Sequence, residues 1–215
     1  MVLTQCSQLN ANHREIIDSI KSLPNETAER LAELLLTRYK VPESVRLELD
    51  RILYEEVDRT AILKDVNLEL TSQFRYFVLL LMAKESRFDY ERSNKLGCTG
   101  LFQLSPKSSE KAMARAGVDI NGLVTIEGNI RTWFELMIVK EEEKGQAPWY
   151  EKPYSDIVFL TNYGRWPKED DPAWEKLSLP KTMAMEHMHL RDSCTLDKVV
   201  PNKKKPVPRK LSKSE

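Results

Sequence analysis

Residues 85–106 read ESRFDYERSNKLGCTGLFQLSP, directly after a strongly apolar run, FVLLLMA at 77–83. The run predicts an apolar helix ending at Glu85, with Thr71 placed to cap its start. A polar loop follows, and then a compact Gly97-Cys98-Thr99-Gly100-Leu101-Phe102-Gln103 turn. Burial disfavours the charged form of a carboxyl group, and the negative end of the helix dipole acts in the same direction. Glu85 is therefore expected to keep its proton near neutral pH. A protonated acid facing a cleft is what glycosidic-bond cleavage requires.

A chain of 215 residues makes one medium domain with additions or two small ones, and 41% hydrophobic residues are enough for a core. The 33 basic residues balance 33 acidic ones, so nothing global argues for nucleic acid or an anionic membrane. Seven glycines are few for an all-β protein and favour helices joined by short loops. Cys6, Cys98 and Cys194 are far apart and lack CxxC spacing, which implies neither a disulfide framework nor a zinc ribbon. The opening MVLTQCSQLNANHREIID has no continuous apolar core of the secretory kind, and no apolar run is long enough to span a bilayer.

Residues 12–66 read as three amphipathic helices. Ile16, Ile17 and Ile20 share a face of the first, which ends before Pro24. Asn25 is placed to cap the second, with Ala28, Leu31, Leu35 and Tyr39 at helical spacing; Pro42 opens the third, with Val45, Leu49, Ile52, Leu53 and Val57 along its stripe. After the 85–106 region, Pro106 is expected to begin a helix that stops at Gly117. A long helix is expected over 129–144 and a short apolar one over 154–162. Glu141, Glu142 and Glu143 read as a solvated helix face, and His187 and His189 as an incidental surface pair. Past Pro180 the apolar periodicity fades, and 197–215 is rich in Lys, Arg and Pro, the composition of a disordered tail. The expected division is thus 1–66, a helical segment; 67–180, the main domain; and 181–215, an extended basic tail.

The 85–106 region resembles the soluble lytic transglycosylase family, the goose-lysozyme-like branch of the lysozyme superfamily. That family's site opens on Glu-Ser, has an aromatic three residues after the Glu, and continues with Gly-x-x-Gly-Leu-Met-Gln and a Pro three residues beyond. Glu85, Ser86, Phe88, Gly97, Gly100, Leu101, Gln103 and Pro106 fall in that register, with Phe102 in place of Met. Arg92 and Asn94 depart from the small residue and serine usual there, and Cys98 stands where Ala is common. Asn129-Ile130 is similar to the family's Asn-Ile helix opening. The family's Tyr-Asn-Ala-Gly aligns with Thr161-Asn162-Tyr163-Gly164, so a threonine replaces the tyrosine that steadies the catalytic carboxyl group.

The resemblance implies a mostly α-helical, lysozyme-like domain acting on peptidoglycan glycan strands between N-acetylmuramic acid and N-acetylglucosamine. Glu85 would be the sole acid and base, giving a 1,6-anhydro product without water. Ser86, Gly100, Gln103, Asn162, Thr161 and Tyr163 would line the substrate site, Gly97 and Gly100 letting backbone approach the sugar. Tyr163 and Trp166 are candidate stacking platforms. No cofactor, metal or specific nucleic acid is implied. Without an export signal, delivery by a phage particle is expected, with a holin or a secretion machine as alternatives. The N-terminal helices or the basic tail would then meet phage tail or baseplate proteins. Two competing functions are a hydrolytic muramidase on the same fold and a structural tail or baseplate protein with a degenerate, glycan-binding domain.

Overall fold

A computed structural model of the chain describes residues 13–143, 146–168 and 171–199, the last six as backbone alone. Cys6, the side chain of Cys194 and the basic segment 200–215 lie outside the described residues. The protein is mostly helical. Residues 13–18 are helical and tighten into a 3-10 turn, Ser19–Ser22. The main helices are α1 (Asn25–Arg38), α2 (Glu43–Lys64), α3 (Ser72–Glu85), α4 (Glu110–Ala116), α5 (Ile126–Glu142), α6 (Tyr154–Tyr163) and α7 (Leu179–Val199). Among the described residues, sheet-like pairing amounts to two isolated bridges, Ser93 with Thr99 and Thr99 with Leu104.

Helix α3 is the axis of the fold. Thr71 caps it by accepting from the Phe74 N–H at 3.1 Å. Residues 76–83 are at most 1% exposed, so this helix is surrounded on all sides rather than lying on a surface. α1 and α7 pack against it. Phe77 stacks on Tyr154 of α6 at 4.2 Å, and Phe74 meets Trp133 and Phe134 of α5. Each fully buried leucine here contributes about 2 kcal/mol by leaving water. The core runs without a break from Ile17 to Leu190, so the boundary expected at 66/67 does not separate two cores. The N-terminal helices bury their stripes against α3 and α5.

Four other expectations are corrected. Residues 181–199 are not extended but belong to α7, whose Met183, Ala184, His187 and Leu190 turn inward at helical spacing. The stripe is interrupted by His187, which is fully buried with its Nδ1 3.0 Å from the Tyr76 hydroxyl, and so is no surface histidine. Burial, with Arg191 nearby, pushes His187 down to about 4. Glu141 is buried beside Lys64 at 2.6 Å, whereas Glu142 and Glu143 are exposed. The helix expected from Pro106 starts at Glu110, after turns closed by Ser109 N–H donating to Ser105 O, and it stops at Gly117 as expected, in the left-handed region.

Buried carboxylates fasten α5 to its neighbours. Arg59 of α2 bridges Glu56 and Glu135 at 2.7 and 2.6 Å, and Arg115 of α4 reaches the other oxygen of Glu135 at 2.9 Å. Glu56 and Glu135 are almost wholly buried, so their charge is tolerable only because these guanidinium groups stay in place. No helix of the described residues is long and apolar enough to cross a membrane.

Candidate active site

Glu85 is the last residue of α3, where the buried axis reaches the surface. Two successive residues beyond it, Arg87 and Phe88, have φ of 61° and 64°, a strained conformation for side chains of their size. The pair turns the chain sharply away from the helix and seats Phe88 edge-on against Tyr39, the residue following α1, at 5.7 Å. On the other side of Glu85, Lys84 is held by Glu186 of α7 at 2.5 Å and reaches the Tyr39 hydroxyl. The acid is thus clamped between neighbours fixed by α1 and α7.

The Glu85 carboxyl is half-buried and accepts a hydrogen bond from Asn162 Nδ2, on α6, at 3.1 Å. Burial pushes its pKa up to about 7, against the smaller opposing pulls of the Asn162 amide and the charge of Arg92. A carboxyl group poised near neutrality can give up a proton and take one back at the same pH. The amide donates to the ionised form and so favours it. Asn162→Ala is expected to move the titration midpoint of Glu85 upward by about one pH unit. NMR of the labelled carboxyl checks this; an unmoved midpoint would show that the contact has no energetic weight.

The turn at 97–104 is assembled around Asn129, which is fully buried near the start of α5. Its Oδ1 accepts from Phe102 N at 3.0 Å, and its Nδ2 donates to Thr99 O at 3.2 Å and Leu123 O at 2.9 Å. Gly100, at φ 77°, has no room for a side chain: a Cβ would lie 2.0 Å from Asn129 Nδ2 and 2.5 Å from Leu123 O. Its need for glycine comes from packing on Asn129, a reason different from the sugar approach expected. Gly97, also left-handed, faces open space. Gln103 folds its amide back to donate to Arg92 O at 3.0 Å and Gly100 O at 2.9 Å, tying the turn to the loop that begins at Glu85.

Of the residues expected at a substrate site, Asn162 is brought onto Glu85, and Gln103 braces the adjoining loop. Tyr163 is 39% exposed, its ring against Phe159 and its hydroxyl donating to Ala173 O at 3.2 Å. Ser86 differs from expectation: it is buried, its hydroxyl donating to Met82 O at 3.1 Å, and so it closes the helix end. Trp166 is buried as well. Thr161 is also turned inward, accepting from Trp133 Nε1 at 2.9 Å and donating to Ile157 O. Phe102 stacks on the same indole at 4.3 Å and 10°. Two of the departures noted in the sequence, Phe102 for Met and Thr161 for Tyr, therefore meet on Trp133. The larger residue covers the ring and the smaller one binds its N–H, a pairing that two residues so far apart in the chain do not advertise.

Among the described residues, no cluster of His, Cys, Asp and Glu is arranged to hold a metal ion. No family model, curated protein or solved structure matches the chain. The chemistry of the site accordingly rests on its own geometry.

Proposed function

We propose that this chain is a peptidoglycan lytic transglycosylase with a lysozyme-like helical domain, cutting the β-1,4 bond between N-acetylmuramic acid and N-acetylglucosamine. The observation that carries the reading is the Glu85 carboxyl, half-buried at the end of an apolar helix, poised near pH 7 and held by one neutral amide donor. In the proposed reaction Glu85 gives its proton to the glycosidic oxygen, and the bond from that oxygen to C1 breaks. The substrate's acetamido group shares the charge developing at C1. Ionised Glu85, favoured by Asn162, then takes the proton of the same sugar's C6 hydroxyl as that oxygen closes on C1. Glu85 ends protonated, and no water is consumed.

Wild-type protein should clear purified peptidoglycan in a gel, and the released fragments should end in sugars lighter by one water than a reducing end. Reducing ends instead would reassign the site to a hydrolytic muramidase. A second reading is favoured by Thr161: with no tyrosine beside Glu85, the domain could bind glycan without cutting it, as a structural component. Binding without any release of fragments between about pH 4 and 8 would select that reading, since this range brackets the titration of a carboxyl group held near neutrality.

A further inference from the structure

The end of α3 remote from Glu85 carries a surface that the proposed reaction does not use. Phe74 lies about 16 Å along the helix from the acid. Beside it is a cavity of about 100 Å³ walled by Phe74, Trp149, Tyr150 and Tyr154. Trp149 is 2% exposed, yet its Nε1–H meets no acceptor among the described residues. A donor shut away from water without a partner is costly, so a ligand that brings an acceptor gains from it. Lys21 also lines the cavity, but its ammonium is committed to the carbonyls of Tyr150 and Lys152. Leu68 and Glu69 line both this cavity and an open groove of about 600 Å³ next to it. In the groove Ile62 is 74% exposed, and Val66 and the neighbouring Leu63 are exposed as well. Asp58, Asp65 and Glu69 line the groove, no Lys or Arg does, and none of the three acids has an ion pair among the described residues.

We propose that this face docks a basic segment of a partner protein, with one prolyl or branched aliphatic side chain filling the cavity and flanking Lys or Arg side chains on Asp58, Asp65 and Glu69. Cavity size selects the anchor. A cavity of about 150 Å³ holds benzene, so this smaller one excludes an aromatic ring and admits proline, valine or leucine. An extended segment packs such a residue flat on aromatic walls, and its free backbone carbonyl can accept from Trp149 Nε1–H. The unpaired acids set the sign of the flanking charge. The proposal is independent of the reading of Glu85.

The test is calorimetric titration of the full-length chain with the synthetic peptide KKKPVPRK, a sequence of the required composition that residues 203–210 supply. It should bind saturably, one to one, and more weakly as salt is added. The peptide KKKAAARK, equal in charge but without the anchor, should bind about tenfold more weakly. Trp149→Phe, which keeps a ring but removes the donor, should weaken KKKPVPRK by about tenfold. Asp65→Asn combined with Glu69→Gln should weaken it by about fivefold. Asp89→Asn combined with Glu91→Gln, the same change of charge in the loop after Glu85, should leave it as it was. Absence of binding by KKKPVPRK would overturn the proposal. Equal binding of the two peptides, or equal weakening by the two pairs of acid substitutions, would overturn it too, since either is the mark of undirected charge attraction. The peptide comparison leaves the protein unaltered, so it decides the matter even if Trp149→Phe perturbs folding. Lys203→Gln, Lys204→Gln and Lys205→Gln together should not change the affinity for added peptide. A tenfold rise would assign the face to the chain's own basic segment and remove the partner.

Discussion

Glu85→Gln is expected to abolish cleavage and, above neutral pH, to make the protein harder to unfold. The loss follows from asking one side chain to be both acid and base; removing such a group costs roughly 10³-fold or more. The gain follows from linkage. The folded-state pKa of Glu85, about 7, lies above its ordinary value of 4.5. Between those two pH values the folded chain holds a proton that the unfolded chain has released, so stability falls as pH rises through this window. A full shift of this size, at about 1.4 kcal/mol per unit, would cost some 3 kcal/mol; solvent at the half-buried group trims it to about 2 kcal/mol. Glutamine has the shape of the protonated acid and can still accept from Asn162. The variant should therefore match the wild type in urea at about pH 4 and exceed it at about pH 8, on either side of the window. Equal midpoints at both pH values would mean that the carboxyl is freely solvated, and the argument for its chemistry would go with it.

Much of the scaffold that places this acid is legible in the chain because the signals are local. The Thr71 cap, the 77–83 run, the Gly117 stop and the stripes at 28–39 and 45–57 all lie within a few residues of what they determine. α5 begins at Ile126, three residues before the expected start, because Thr125 accepts from Gly128 N. What escapes is what depends on distant partners. α7 goes unseen since its stripe contains a histidine, acceptable inside only because Tyr76, 111 residues away, meets it. The inward turn of Ser86 depends on a tight chain reversal at Arg87 and Phe88, two residue types that rarely take positive φ. At the site, Glu85 and its environment are readable from sequence, whereas the donor to its carboxyl depends on where α6 ends in space.

Asn129→Ala is expected to cost about 4 kcal/mol, the largest stability loss predicted for a single polar group in this protein. It would strand Phe102 N–H and the Leu123 carbonyl in a region closed to water, each at about 1–3 kcal/mol, while the Thr99 carbonyl would lose one of two donors and keep Leu104 N–H. Asn129→Asp should be as damaging, because a carboxylate has the same shape but cannot donate to two carbonyl oxygens. Gly100→Ala should cost about 3 kcal/mol or more from the other side, since its new Cβ would overlap the Asn129 amide at a backbone angle that disfavours alanine. The two changes should not add. With the amide removed, the methyl group introduced by Gly100→Ala occupies space that Asn129 has left, and only the approach to Leu123 O remains. A double-mutant cycle followed by urea unfolding should therefore show the second change costing at least about 1 kcal/mol less than it does alone. Strict additivity would mean that the turn and α5 are not braced through this contact. Because the same turn carries Gln103, which ties it to the loop that begins at Glu85, either variant should also lose activity with Glu85 untouched.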